Sequence, residues 1–238
     1  MLKKYLALLF FSTALCAQAQ VGEPRSELCV GVNAGVSLNK IDFTPTIQQY
    51  IHVSPIIGVS FRYTCEKYFS TVCALQAELN YTSLGWRENI IDKESNPLPD
   101  TYRRDLHYLQ LPLLARLGWG REQRGLMFYV LAGPQIGYCF GESTTQSAEW
   151  TTDDAGVPIR PGNVTHQYGK SVDHKLDYGI TAGLGLELST KIGHFDLEGR
   201  YYYGLGDIYG NSKKDFFSRS ANGTIIIKLA YLMNLGKK

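Results

Sequence analysis

The chain has little that would suit a helical membrane protein or a nucleic-acid-binding protein. Beyond the N-terminal segment it has no long apolar run, whereas a membrane-spanning helix needs about 20 consecutive apolar residues. Residues 21–238 carry 22 basic and 22 acidic side chains. This balance offers no excess of positive charge for a phosphate backbone, so nucleic acid is not expected as a partner.

Sequence motifs of catalysis and metal binding are also missing. The five histidines show no zinc spacing, and no phosphate loop, dinucleotide fingerprint or nucleophile elbow occurs. The sequence therefore predicts no enzyme, no cofactor and no metal site. Asp92, Asp153 and Asp154 leave calcium binding as an alternative to ordinary solvated loop acids.

The N-terminus has the three regions of a secretory signal peptide. Lys3 and Lys4 are followed by an apolar stretch to Leu15, and Ala17-Gln18-Ala19 is a small-x-small cleavage pattern. Cys16 raises a lipoprotein alternative, but Leu15 stands where a lipobox has a small residue. We predict a signal peptide at residues 1–20 and one domain at 21–238.

The main signal in this domain is an alternation of apolar and polar residues with period two, which a strand produces and a helix does not. Only 9 prolines but 16 tyrosines and 24 glycines fit such a β-rich chain. Eight segments show the alternation, at residues 28–38, 57–64, 75–82, 109–117, 128–140, 177–188, 195–203 and 224–231.

These strands could form a soluble sandwich or a membrane barrel, and two features favour the barrel. The polar faces carry charges near mid-strand, namely Arg62, Glu78, Arg116, Glu187, Asp196, Glu198, Arg200 and Lys228. Long connections (roughly 40–53, 88–105, 142–175 and 206–220) alternate with short ones. Long outer loops and short periplasmic turns are typical of outer-membrane barrels. We therefore predict an all-β, eight-stranded, antiparallel up-and-down transmembrane β-barrel in the outer membrane, with lipids as its surroundings.

Aromatic residues fall at both ends of the predicted strands, as in the girdles of membrane barrels. The long-loop ends carry Tyr81, Trp86, Tyr138, Phe140, Tyr178 and Tyr203, and the short-turn ends carry Tyr63, Tyr68, Trp119, Phe128, Phe195 and Tyr231.

Four motifs resemble the PorT-like outer-membrane β-barrel family. They are Tyr108-Leu109-Gln110-Leu111-Pro112-Leu113, the segment Ala132-Gly133-Pro134 with Gly137-Tyr138, Asp177-Tyr178-Gly179 with Gly183 and Gly185, and Arg200-Tyr201-Tyr202-Tyr203-Gly204-Leu205. The resemblance covers the mature chain in order and implies a fold and a location. Because the founding PorT protein belongs to the type IX secretion machinery, a secretion subunit with other envelope proteins as partners is one alternative function.

An eight-stranded barrel is just wide enough for its own side chains, so a diffusion porin is not expected. We predict that the eight inward charges form a packed polar network, with an ion or proton path as the minor alternative. Pro112, which lacks an N–H, predicts a β-bulge in the fourth segment. The role expected is structural, or binding by the outer loops.

A lipid-modifying barrel enzyme is a second alternative function. His52-Val53-Ser54 resembles the His-x-Ser pair of a lipid A deacylase, in which histidine activates serine. The parity of the strand places both residues inward or in a loop, away from lipid, so a chance match is favoured.

Four cysteines remain after signal cleavage, in an oxidising compartment. Cys65 and Cys73 flank a short turn centred near Phe69, where equal distance from the turn would place them opposite each other. They form a candidate disulfide, and free thiols are the alternative. Cys29 and Cys139 are expected to stay free.

The predicted location can be tested directly. If the eight segments face lipid, the mature protein should fractionate with outer membranes and show heat-modifiable mobility on gels. Recovery as a soluble periplasmic monomer would contradict the membrane assignment.

Overall fold

The computed structural model describes residues 22–91, 94–122, 124–147, 152, 154–155 and 164–235. The predicted signal peptide lies outside these residues. Nine strands run in chain order as β1 (Glu23–Thr44), β2 (Gln49–Tyr50), β3 (His52–Tyr68), β4 (Thr71–Glu88), β5 (Tyr102–Gly120), β6 (Gly125–Gln146), β7 (Leu176–Thr190), β8 (Gly193–Asp207) and β9 (Arg219–Asn234). None of the described residues form a helix with the length and hydropathy to cross a membrane.

Eight of the strands close into one ring. Each long strand is antiparallel to its chain neighbour, and β1 also pairs with β9, as in Val32 opposite Tyr231. The two-residue β2 pairs only with the end of β4. Closure pairs the strand at each edge of the sheet, so the ring has no open edge. The predicted eight-stranded antiparallel barrel is confirmed.

The two faces of the wall have the opposite polarity to those of a soluble barrel. On β7, Ile180 and Leu184 point outward with 53% and 56% of their surface exposed, whereas Asp177, Thr181 and Glu187 point inward and are buried. The same alternation runs through the other long strands. An apolar exterior around a polar interior requires lipid outside.

The connections differ between the two ends of the barrel, which we call the turn end and the loop end. The turn end has residues 69–70, 121–124 and 191–192, whereas the loop end has residues 45–51, 89–101, 147–175 and 208–218. The first outer loop is shorter than the predicted 40–53, because β1 continues to Thr44 in register with Arg219 of β9.

Two local predictions are corrected. Pro112 lies opposite Gln135 with the β5–β6 register unchanged on either side, and the irregularity in that ladder lies at His107/Tyr108 instead. Trp86 is fully buried inside the barrel and does not belong to the outer aromatic girdle, because even-numbered positions of β4 face inward. Tyr138, Phe140, Tyr178 and Tyr203 are exposed on the outside.

The expected facing of Cys65 and Cys73 is wrong. Cys73 lies opposite Glu66, and the ladder shifts register between Thr64 and Glu66, so Cys65 occupies a bulge without a direct partner. The turn is centred between Phe69 and Ser70, half a residue beyond the position assumed from the sequence. All four described cysteines are free thiols.

The bulge leads to a prediction about thiol chemistry. A disulfide needs Cβ atoms roughly 3.5–4.5 Å apart, and the bulge removes the directly opposed geometry that would supply this distance. We expect mass spectrometry of a non-reduced digest to find free thiols at Cys65 and Cys73. A linked peptide containing both residues would contradict this strand register.

Candidate functional site in the barrel lumen

Two clusters of ion pairs fill the barrel from the turn end to its middle. The turn-end cluster contains Arg62, Arg116, Glu187 and Asp196, all buried. Arg62 Nη1 lies 2.9 Å from Glu187 Oε2 and 3.2 Å from Asp196 Oδ2. Arg116 Nη1 lies 2.8 Å from Asp196 Oδ2, and its Nη2 also contacts Glu187. Each arginine therefore bridges both carboxylates.

The register of the wall explains why this cluster needs two arginines. Glu187 and Asp196 lie directly opposite each other on β7 and β8, and like charges in that position are destabilising. Arg62 and Arg116 come from β3 and β5, and they reach the acids across the interior. The barrel's closure therefore supplies the compensating charges.

The central cluster contains Glu78, Glu198, Arg200 and Lys228, which are also buried. Arg200 donates to both oxygens of Glu78, at 2.7 and 2.9 Å, and it also contacts Glu198. Lys228 Nζ lies 2.5 Å from Glu78 and 3.4 Å from Glu198. The two clusters together hold four basic and four acidic side chains, so their formal charges cancel.

Three further side chains connect and extend the clusters. The guanidinium of Arg116 lies over the ring of Tyr129, with its carbon 3.4 Å from the ring centroid. The Tyr129 hydroxyl donates a hydrogen bond to Glu198 at 2.8 Å. Gln76 donates to Glu78 and Glu198 at 2.7 and 3.1 Å. His194 Nδ1 lies 2.5 Å from Glu187. Gln76, Tyr129 and His194 were not among the predicted network residues, although the inward parity of Tyr129 on β6 was a usable signal.

The loop end of the lumen is closed by apolar packing, which we call the apolar plug. Phe43 lies at its centre, with ring centroids 5.2 Å from those of both Trp86 and Phe217. The plug combines strand residues with residues from the outer connections; its buried members are Ile41, Phe43, Ile47, Leu84, Trp86, Ile90, Tyr102, Leu106, Tyr108, Cys139, Val172, Ile208, Tyr209 and Phe217.

His52 and Ser54 are both buried and have separate partners. His52 Nε2 is 3.2 Å from Asp105 Oδ1. Ser54 is hydrogen-bonded to Ser37 at 2.8 Å, and it also contacts the Ser83 carbonyl. Both side chains are buried, so Ser54 does not present its hydroxyl to lipid outside the wall.

Of the acids considered for calcium binding, only Asp154 lies among the described residues. In the part of the chain that the structure describes, no three His, Cys, Asp or Glu side chains are grouped to hold a metal ion. Asp92 and Asp153 lie outside the described residues.

One buried carboxylate, that of Asp177, differs from the rest of the lumen. It receives a hydrogen bond from Asn222 Nδ2 at 3.2 Å, while its Oδ1 has no hydrogen-bond partner. No lysine or arginine among the described residues forms an ion pair with it. Asp177 therefore lies between the central cluster and the apolar plug without a counter-charge.

An apolar wall, a charge-balanced interior and asymmetric ends define an outer-membrane β-barrel, and comparison with known families agrees. A family model described as "Outer membrane protein beta-barrel domain" matches residues 17–210. The chain belongs to this family and is an outer-membrane protein. Its turn end is therefore periplasmic and its loop end extracellular. A search of curated proteins gives no match.

Solved structures of several small outer-membrane proteins are similar to this chain. Ail of Yersinia pestis is 13% identical with a TM-score of 0.40, covering 89% of this chain and 99% of Ail. OprG of Pseudomonas aeruginosa is 12% identical with a TM-score of 0.38, covering 90% and 95%. Neisserial surface protein A is 11% identical with a TM-score of 0.41, covering 86% and 96%.

The central cluster leads to a prediction about stability. Glu78→Gln removes one of the two carboxylates that neutralise Arg200 and Lys228, leaving one buried positive charge uncompensated. We expect the free energy of unfolding to fall by about 3 kcal/mol, measured by urea unfolding of the protein refolded into lipid vesicles.

Asp177→Asn is the matched control, because it makes the same carboxylate-to-amide change at a buried site without a counter-charge. We expect Asp177→Asn to leave the free energy of unfolding unchanged or to raise it, since it removes the cost of burying an unpaired charge. Equal losses of stability in the two variants would contradict the ion-pair account of the lumen.

Proposed function

We propose that this protein is a closed outer-membrane barrel that acts as a structural element or through binding by its extracellular loops, and not as a diffusion porin. The single observation that carries the proposal is the occupied lumen. The turn-end cluster, the central cluster and the apolar plug follow one another along the barrel axis. Side chains therefore block the path of a solute along the whole lumen.

The plug supports a role for the extracellular face. Ile90, Ile208, Tyr209 and Phe217 lie on connections beyond the strands, yet they are buried in the plug. Their packing anchors the bases of the loops and leaves other side chains facing outward. Phe216, for example, stays 42% exposed and stacks on His166 with ring centroids 3.6 Å apart. A fixed, partly aromatic surface suits contact with another molecule.

The finer assignment to the PorT-like group rests on the four sequence motifs. The alternative function of a secretion-machinery subunit depends on that assignment. That alternative requires stable association with other envelope proteins. Pull-down from detergent-solubilised outer membranes should recover the same envelope proteins in defined ratios if the protein works in such a machine. The buried positions of His52 and Ser54 give the lipid-modifying alternative no support.

The closed lumen predicts very low ion conductance. In planar lipid bilayers, the purified protein should show no stepwise current, whereas a porin prepared in parallel should show discrete open channels. The physical reason is that an ion would have to displace paired charges and apolar side chains in sequence.

One variant separates the contribution of the apolar plug to the closed lumen from that of the two ion-pair clusters. Phe217→Ala opens space in the plug but leaves both ion-pair clusters intact, so we expect it to remain non-conducting. Stable, discrete openings of the unmodified protein would contradict the proposal.

A further inference from the structure

Two arginines lie side by side on the outer wall at the extracellular end. Arg87 of β4 and Arg103 of β5 are direct cross-strand partners. Both are exposed, and the odd-numbered positions of both strands face outward. Like charges directly opposite on an antiparallel ladder destabilise it unless an anion lies between them or beside them.

The charge around this pair is only partly balanced. Arg103 donates three hydrogen bonds to Asp105, at 2.8, 2.9 and 3.2 Å. Arg87 lies over the ring of Tyr50, with its guanidinium carbon 4.9 Å from the ring centroid. Among the described residues, no carboxylate forms an ion pair with Arg87. Arg87, Arg103 and Asp105 therefore leave one positive charge without a partner, with guanidinium donors available on both arginines.

The position of the pair on the wall indicates which anion could reach it. Along β5 the outward residues change from Leu111 and Leu109 to His107, then Asp105 and Arg103. His107 belongs to an aromatic group with Tyr81 and Phe140, whose ring centroids lie 6.1 and 6.2 Å from that of His107. Tyrosine rings mark the interface between hydrocarbon and headgroups.

Arg103 lies four residues beyond His107, about 13 Å along the strand and about 10 Å along the membrane normal for a tilted strand. The headgroup layer extends roughly 5–8 Å beyond the hydrocarbon. The backbone of the two arginines therefore lies just beyond the lipid headgroups, and their long side chains can reach down to them.

We propose that Arg87 and Arg103 form a binding site for a phosphate group on a lipid of the outer leaflet. The planar guanidinium binds phosphate through paired hydrogen bonds. Such an anion would neutralise the unpaired charge and remove the repulsion across the ladder. A lipid fits better than a soluble anion because the site continues the lipid-facing wall and lies directly above its aromatic girdle.

The test uses the full mature protein in dodecyl maltoside micelles, with diphosphorylated lipid A as the probe. Native mass spectrometry measures the fraction of protein that carries bound lipid. Arg87→Gln should weaken the apparent affinity about tenfold, the loss of one charge-assisted contact. Arg87→Lys, which keeps the charge but not the paired donors, should fall between this variant and the unmodified protein. Heat-modifiable mobility checks that each variant is folded.

Arg219→Gln is the matched control. Arg219 lies at the same end of the wall over the Tyr203 ring, but its charge is already paired with Asp42 at 2.5 Å. Its replacement removes one arginine from the rim and should change lipid binding less than twofold. Equal losses in Arg87→Gln and Arg219→Gln would mean that rim charge in general, and not this pair, holds the lipid.

Two further arms identify what is recognised. Lipid A stripped of its phosphates should bind weakly and equally to the unmodified protein and to Arg87→Gln. Inorganic phosphate at millimolar concentration should not displace the phosphorylated lipid. Full binding of the dephosphorylated lipid, or displacement by free phosphate, would overturn the proposal.

Discussion

The requirement that every backbone N–H and C=O be paired inside hydrocarbon governs the rest of this structure. A sheet meets that requirement in a membrane only if it closes on itself. Here the pairing of β1 with β9 completes the ring. Closure then determines the direction of each side chain, because alternate residues of a strand must face either lipid or the interior.

A ring of eight strands leaves an interior that its own side chains must fill, and the two halves of this lumen solve the problem differently. The periplasmic half and the middle use ions in equal number, each with at least one opposite charge in contact. The extracellular half uses mainly aromatic and aliphatic side chains, together with a few buried polar groups such as Arg104 and Asp177. The difference follows from the connections, since only the longer outer loops can return apolar residues such as Tyr209 and Phe217 to the barrel.

Much of this arrangement could be predicted from the alternation alone. It indicated the eight strands, their inward faces and the asymmetry of the ends. The prediction for Trp86 was wrong because the rule that aromatic residues at strand ends form the girdle was given priority over the alternation. Its place near a strand end suggested the girdle, whereas its even position on β4 placed it inside. The Cys65–Cys73 register failed for another reason, because the turn is centred half a residue beyond Phe69 and the bulge that absorbs this offset falls at Cys65 itself.

The sequence by itself therefore determined the strands, their faces and the ends of the barrel, because side-chain direction in a strand is a local property with a period of two residues. Only the tertiary structure decided which charges meet. Arg62 and Glu187 are 125 residues apart in the chain, and Arg200 and Glu78 are 122 apart. Such contacts depend on strand stagger around a closed ring, and stagger is set by the pairing of all eight strands at once.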